Sequence, residues 1–497
     1  MTKAVYFICI TALSAIAFLP VPPYSCSNSL TRNQELRDTL SNKPASGAVN
    51  SVSQRLPRLK VSENGRFLSK EDGTPFFYLG DTAWELFHRL NREEATEYLR
   101  NRAEKGFTVI QAVVLAEIGG LYIPNPYGHL PLENLDPTRP IEAYFEHVDF
   151  IVDQAERLGL YIGMLPTWGD KVNKKWGAGP EIFNPENAEA YGEYLGRRYK
   201  DKPIIWILGG DRPVENERHR AIWNAMARGL AKGDGGNHLM SYHPSGWNTS
   251  AKWFHDADWL DFNMHQSGHS SHNSPNWKFT QETYQLAPVK PTLDGEPCYE
   301  DLPVRFWEFE KDDMRGALTP EAADTLFNLG WFDDYDVRKA AYWSLLAGAC
   351  GHTYGNNNIW QMYAPGRKAN VYCRSNWREA MNHPGATQMG YVRKLFESHP
   401  FLLLEPDNTL VSNDPGEGPG KMMAARASDG SYAYCYTPAG QPVKVNMKKM
   451  AGKRARARWY DPRNGKFIPI GKFETSEARA FTPPATGAPN DWVLVLD

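Results

Sequence analysis

The sequence predicts an α/β chain: a (β/α)8 TIM barrel followed by a small antiparallel β-sandwich domain. Three observations carry that expectation. Eight short apolar runs between residues 76 and 356 alternate with amphipathic stretches, which implies a parallel sheet wrapped by helices. Near residue 400 the texture changes to short alternating runs divided by Gly, Pro and Asn. No GxGxxG follows the first run, which disfavours an open dinucleotide-binding sheet. A chain of 497 residues has room for a barrel of roughly 250 residues or more and a second, smaller core.

The first residues, MTKAVYFICITALSAIAFLPVPPYSC, place Lys3 before an apolar run that ends in small residues and prolines, as an export signal does. Residues 1–26 are therefore expected to be a signal peptide and the mature chain periplasmic or at the cell surface. Cys26 is the alternative end point, as the lipid-anchored residue of a lipoprotein. No later apolar segment approaches the roughly 20 residues needed to span a bilayer. Residues 27–57, rich in Ser, Asn and Thr without periodicity, read as a solvated tether.

Folded structure is expected from residue 58 to 400 as the barrel and from 401 to 497 as the second domain. Asn64-Gly65 and Asp72-Gly73 mark tight turns of a lead-in hairpin. The strand candidates follow in order: FFYLG at 76–80, TVIQAVVLA at 108–116, YIGMLPTW at 161–168, PIIWILGG at 203–210, LMSYHP at 239–244, DFNMHQ at 261–266, PTLDGE at 291–296 and GHTYGN at 351–356. Between them REEATEYLRNRAEK, IEAYFEHVDFIVDQAERLG, PENAEAYGEYLGRRYK, NERHRAIWNAMARGLAK and DVRKAAYWSLLAG repeat apolar residues every three or four positions, the mark of a helix with one buried face. That pattern fades after strands five and six. GATQMGYVRKLFES at 385–398 closes the barrel, and DGSYAYCYTPAGQPVKVNM, RARARWYDPRNGKFIPIG and DWVLVLD supply the strands of the second domain.

Several function classes are excluded early. A net charge of -3, spread along the chain, offers neither the cationic field of a nucleic-acid binder nor a polybasic membrane patch. Cys298, Cys350, Cys373 and Cys435 lack CxxC spacing and read mostly as buried thiols, with one disulfide as the alternative. His265, His269 and His272 form no HExxH and have no carboxylate at ligand spacing, so no metal or other cofactor is expected. The absence of GxSxG disfavours a serine-hydrolase elbow.

In such a barrel the residues just past the carboxyl ends of the strands face the active site. Three strands end alike: FFYLG leads to Asp81, WILGG to Asp211 and TLDG to Glu296. Asp81 has a second reading as a helix cap before TAWELFHRL. Pro213 argues against a cap at Asp211, and Pro297 against one at Glu296, for which a buried ion pair is the remaining structural reading. Strands four and seven lie across the mouth from one another, so Asp211 and Glu296 fit the paired carboxylates of glycosidic cleavage, one donating a proton while the other attacks or activates water. Glu117, Trp168, His243, His265, Gln266, His352 and Tyr354 also fall at strand ends, and Trp84, Tyr299 and Trp360 nearby, as candidate sugar-binding groups. Lys171, Arg212 and Arg305 are candidate partners for an acidic neighbouring sugar. An oligo- or polysaccharide is thus the expected partner.

At these residues the chain resembles the apiosidase-like glycoside hydrolases of family 140. The resemblance spans residues 58–400 through NGRFL, LGDTAW, WILGGDRP, DGEPCYE and HTYGNNNIWQMY. It implies a (β/α)8 barrel that cleaves apiosyl linkages in the plant pectin rhamnogalacturonan II, with the Asp after strand four as acid/base and the Glu after strand seven as nucleophile, here Asp211 and Glu296. RWYDPRNG is similar to a C-terminal domain family that carries a collagen-binding label, which we read as a structural accessory. The expectation is an exported retaining glycosidase. Its rivals are another hydrolase of glucanase-like or arabinosidase-like specificity, and a non-catalytic surface protein that binds glycan or collagen.

Overall fold

The computed structural model describes residues 55–309 and 318–497. The expected signal peptide, Cys26 and most of the tether lie outside the described residues. A three-stranded antiparallel sheet (Leu59–Val61, Leu68–Lys70, Pro75–Phe76) opens the fold, with its turns at the two Gly-containing dipeptides.

Eight strands then form the barrel: β1 (Tyr78–Thr82), β2 (Val109–Leu115), β3 (Tyr161–Thr167), β4 (Ile204–Gly209), β5 (Met240–His243), β6 (Asn263–Gln266), β7 (Thr292–Asp294) and β8 (Gly351–Tyr354). Parallel ladders run from β1 to β5, from β6 to β8, and from β8 back to β1. The seam between β5 and β6 is closed by single bonds, Asp261 N–H to Met240 O at 2.9 Å and Ser241 Oγ to Phe262 O at 2.8 Å. A two-residue strand, Asn248–Thr249, adds antiparallel to β6 at this seam. The result is a nearly closed TIM barrel, as the alternating pattern predicts.

Helices α1 (Arg92–Lys105), α2 (Glu142–Arg157), α3 (Pro185–Tyr199), α4 (Glu217–Asp234), α5 (Asn276–Tyr284), α6 (Asp334–Leu346) and α7 (Pro384–Glu397) cover the outside. Capping boxes at Asn91, Asn184 and Asp333 start α1, α3 and α6, each satisfying backbone N–H groups that the first turn leaves unpaired. Helices α3 and α4 cross closely, because a Cβ on Gly229 would stand 2.1 Å from Glu189 O and one on Gly192 2.5 Å from Met226 O. After β5 there is only the turn Ala251–Phe254, which is why periodicity fades there: too short a segment cannot display it. No helix among the described residues is long and apolar enough to cross a membrane.

The C-terminal part holds β9 (Leu404–Pro406), β10 (Met423–Ala427), β11 (Ala433–Thr437), β12 (Val443–Asn446), β13 (Arg454–Asp461), β14 (Lys466–Glu474), β15 (Ala478–Phe481) and β16 (Trp492–Leu496). Six of them form one antiparallel sheet in the order β9-β10-β11-β16-β13-β14, faced by the β12-β15 pair. Period-two alternation sends Tyr434, Tyr436, Val493 and Val495 into the barrel's core and Ala433, Cys435, Leu494 and Leu496 into the sandwich's own. The junction also carries stacked rings of Tyr342 and Tyr436 (4.8 Å, 18°) and a buried ion pair, Arg338 to Asp491 at 3.0 Å. Cys298, Cys350 and Cys435 are buried free thiols and Cys373 is half-buried.

Candidate active site

Strand β4 is wholly buried, and its last residues turn out of the wall in an unusual way. Gly209, Gly210 and Asp211 have φ of 88°, 123° and 45°, three successive residues on the side of φ that L side chains rarely adopt. Glycine is required twice, since a Cβ on Gly209 would meet His243 O at 2.3 Å and one on Gly210 the Trp168 ring at 2.7 Å. Asp, which tolerates this conformation better than most side chains, completes the hook. Helix α4 starts only at Glu217, capped by Asn216, so Asp211 caps nothing.

Asp211 keeps about a quarter of its side chain exposed, and its Oδ2 accepts from Arg212 Nη1 at 2.9 Å and Trp176 Nε1 at 3.0 Å. Arg212 is buried and bridges to Glu117, whose Oε1 accepts from Nη2 at 2.8 Å. Across the mouth, Gly295 turns the chain after β7 and Glu296 comes to rest between two imidazoles. His269 Nε2 donates to Oε1 at 3.0 Å. His243 Nε2 stands 3.0 Å from Oε2 in a bent contact. His243 also links the two acids, because its Nδ1 lies 3.4 Å from the Asp211 backbone N–H.

These surroundings move the two carboxyls apart. Burial, with the negative charge of Glu296 adding to it, raises Asp211 above its ordinary range against the opposing pull of Arg212 and Trp176. Burial alone would raise Glu296 too, but the contacts from His243 and His269 outweigh it and hold the group near about 2. Glu117 is pushed up to about 7 by burial, against the charge of Arg212 and helped by Asp170 and Asp211. One carboxyl biased toward its protonated form, facing one biased toward its ionised form, is the condition under which two like residues take different roles.

An aromatic wall lines the same mouth. Trp84 and Trp168 sit 5.1 Å apart and 5.5 and 5.7 Å from His243, Trp84 Nε1 donates to Tyr299 Oη at 3.1 Å, and Tyr299 packs on His269 at 4.5 Å. Gln266, last in β6, is buried, and its Oε1 accepts no hydrogen bond among the described residues.

Other candidates stand elsewhere. Asp81 lies inside β1, fully enclosed, its Oδ2 held by Tyr98 Oη at 2.5 Å and Arg102 Nε at 2.6 Å on α1. It is neither helix cap nor mouth residue. Tyr354, in register with Asp81, donates to Glu300 at 2.5 Å. His265 stacks on Phe279 of α5 and lies 3.6 Å from Asp294, and His352 is fully buried in register with Asp294, its imidazole driven down to about 4 by burial. These groups share the parity that faces the helices, one residue out of phase with the mouth. Trp360 is held by Asn357 within the loop after β8. Of the cations, Lys171 is buried and committed to Asp170 at 2.7 Å, Arg212 is committed as above, and Arg305 is about half exposed beside His269.

Sequence reasoning treated His269 only as a rejected metal ligand and did not single out Trp176. His265, His269 and His272 in fact point to Asp294, Glu296 and Asp336, three separate partners. The one cue for Trp176 was its place in the Gly-rich segment KKWGAGP.

Residues 62–403 match the family described as "Apiosidase-like, catalytic domain", and residues 405–497 the family described as "Putative collagen-binding domain of a collagenase". A solved structure titled "Glycoside hydrolase" is 36% identical, with a TM-score of 0.79 over 88% of this chain and 96% of that one. A crystal structure of a glycoside hydrolase family 5 protein from Bacteroides vulgatus is 35% identical, with a TM-score of 0.78 over 89% and 94%. No curated protein sequence matches. The chain belongs to the apiosidase-like catalytic-domain family and is a glycoside hydrolase, with a carbohydrate as its substrate.

Proposed function

We propose that this chain is an exported, retaining glycosidase that releases apiosyl residues from rhamnogalacturonan II, with Asp211 as acid/base and Glu296 as nucleophile. The observation that supports the roles is the opposed displacement of the two carboxyls around His243. Glu296, ionised, attacks the anomeric carbon as Asp211 gives its proton to the departing glycosidic oxygen; the C–O bond breaks and a glycosyl ester forms. Asp211, now a carboxylate, takes a proton from water, whose oxygen displaces Glu296 and restores both groups. The apiosyl specificity rests on the family match, and export on the N-terminal apolar run.

The test is product analysis of purified rhamnogalacturonan II by chromatography, with NMR of the anomer first released. Free apiose of retained configuration supports the reading. Release of a different sugar moves the enzyme to a glucanase-like or arabinosidase-like specificity, and an inverted product removes Glu296 as nucleophile. The burial of one face of the C-terminal sheet against the barrel supports a structural role for that domain over a separate polymer-binding one.

A further inference from the structure

Trp176 is 62% exposed, unusual for so large an apolar ring, yet it is not loosely held. Its loop is stapled to the segment that carries Asp211. Asn173 Nδ2 donates to Pro213 O at 2.9 Å and Glu215 Oε2 at 3.2 Å, Lys175 Nζ pairs with Glu215 at 2.5 Å, and Trp176 Nε1 reaches Asp211. On the other side Gly179 N–H donates to Asp170 Oδ2 at 2.8 Å. Gly177 lets the loop press inward, since a Cβ there would lie 2.4 Å from both Arg212 Nη2 and Asp170 Cβ. The Arg212 guanidinium packs 4.8 Å from the centre of the indole ring, and the ring stays largely open to solvent.

Oxygen accounting gives this contact a consequence. Oδ2 of Asp211 receives two donors, Arg212 Nη1 and Trp176 Nε1, while Oδ1 accepts no hydrogen bond from a described side chain. A proton on Asp211 therefore resides on Oδ1, the oxygen left for the glycosidic bond. We infer that Trp176 is a positioning residue that, with Arg212, fixes which oxygen of Asp211 delivers the proton, while its exposed ring is the stacking platform for the departing sugar. This rests on the acid/base reading of Asp211. The titratable and charged groups around that carboxyl are Arg212, Glu296, His243 and, through Arg212, Glu117.

Two variants separate the functions of the residue. Trp176→Phe keeps a flat ring and removes the donor; Trp176→Ala removes both. On rhamnogalacturonan II, Trp176→Phe is expected to lose about tenfold in kcat, the scale of one hydrogen bond to a charged group, and Trp176→Ala a further several-fold, chiefly in KM. Because the lost donor favoured the carboxylate, the alkaline limb of the pH profile of Trp176→Phe moves up, by about one unit. With a 2,4-dinitrophenyl apioside, whose leaving group needs no proton, the loss of Trp176→Phe in kcat/KM, which reads the first step alone, is expected to be several-fold smaller than on rhamnogalacturonan II. A Trp176→Phe profile that superimposes on wild type, or an equal loss on both substrates, overturns the inference. A substrate-free arm separates its failure from that of the proposed function. The indole emission of wild type minus Trp176→Phe is expected to titrate with pH, and the same difference taken in an Asp211→Asn background is expected not to. A flat difference overturns the contact whatever the substrate proves to be, whereas a titrating difference in an enzyme inactive on both substrates leaves the contact standing and removes the apiosyl specificity.

Discussion

Two sides of one barrel rim carry carboxylates in almost the same sequence context and treat them in opposite ways. Asp81 in YLGDT and Asp211 in ILGGDRP each follow a glycine at the end of an apolar run. Asp81 remains within β1, paired with fully buried Arg102 and with Tyr98. Asp211 stands two residues past the end of β4, on a left-handed hook, a quarter exposed and near enough to Glu296 to feel its charge. The first joins a strand to a helix; the second keeps an exposed face. One additional glycine makes the difference, because it carries the acid beyond the ladder before its side chain is committed.

The sharpest way to break this comparison is to neutralise each acid in turn. Glu296→Gln and Asp211→Asn are expected to lower kcat/KM on rhamnogalacturonan II by at least about 10³-fold with the melting temperature within a few degrees of wild type. Asp81→Asn should do the reverse. It strands a buried guanidinium, at a cost of about 3–5 kcal/mol measured by urea unfolding, while the folded fraction turns over normally. A stable, inactive Asp81→Asn would dissolve the distinction between the two sides. Next in size is His269→Ala, which removes one of the contacts that keep Glu296 near about 2. If Glu296 is the nucleophile, the acid limb of this variant should move to higher pH, because the carboxylate then needs less acid to become protonated, and kcat at pH 5 should fall by about tenfold. Tyr354→Phe belongs to the sealed side: it is expected to cost about 1–2 kcal/mol of stability through Glu300 and to leave the pH profile in place.

The barrel was legible because its signal is repetitive: apolar strands and amphipathic helices recur often enough that two faded stretches, after β5 and β6, do not hide the pattern. The positions of Asp211, Glu296 and Glu117 past strand ends were legible for the same reason. What sequence could not supply was parity. His265, His352 and Tyr354 lie at strand ends like His243, but a one-residue phase decides whether a side chain looks at the mouth or at the helices, and alternation cannot be read in strands buried on both faces. Trp176 and the role of His269 were hidden for another reason. Both sit in loops whose contacts join positions 35 and 27 residues apart, and nothing local announces such a partner.

The smallest effect concerns Glu117, which belongs to the open side yet is tied by Arg212 to Asp211. Its carboxyl rises to about 7 in the folded chain from an ordinary value near 4.5, so between those values the native state holds a proton that the unfolded chain has released. Stability from this group is then complete below about pH 4.5 and is lost as pH rises to about 7, by on the order of 1–3 kcal/mol. Glu117→Gln has no proton to release and should lack that decline, although it begins from a different level because Arg212 has lost a charged partner. Urea unfolding from pH 4.5 to 8 reads the difference as a slope, independent of the offset. Parallel slopes in the two proteins would mean that Arg212 keeps Glu117 ionised in the folded chain, and the open side of the rim would then hold only two carboxyls whose protonation the fold has set apart.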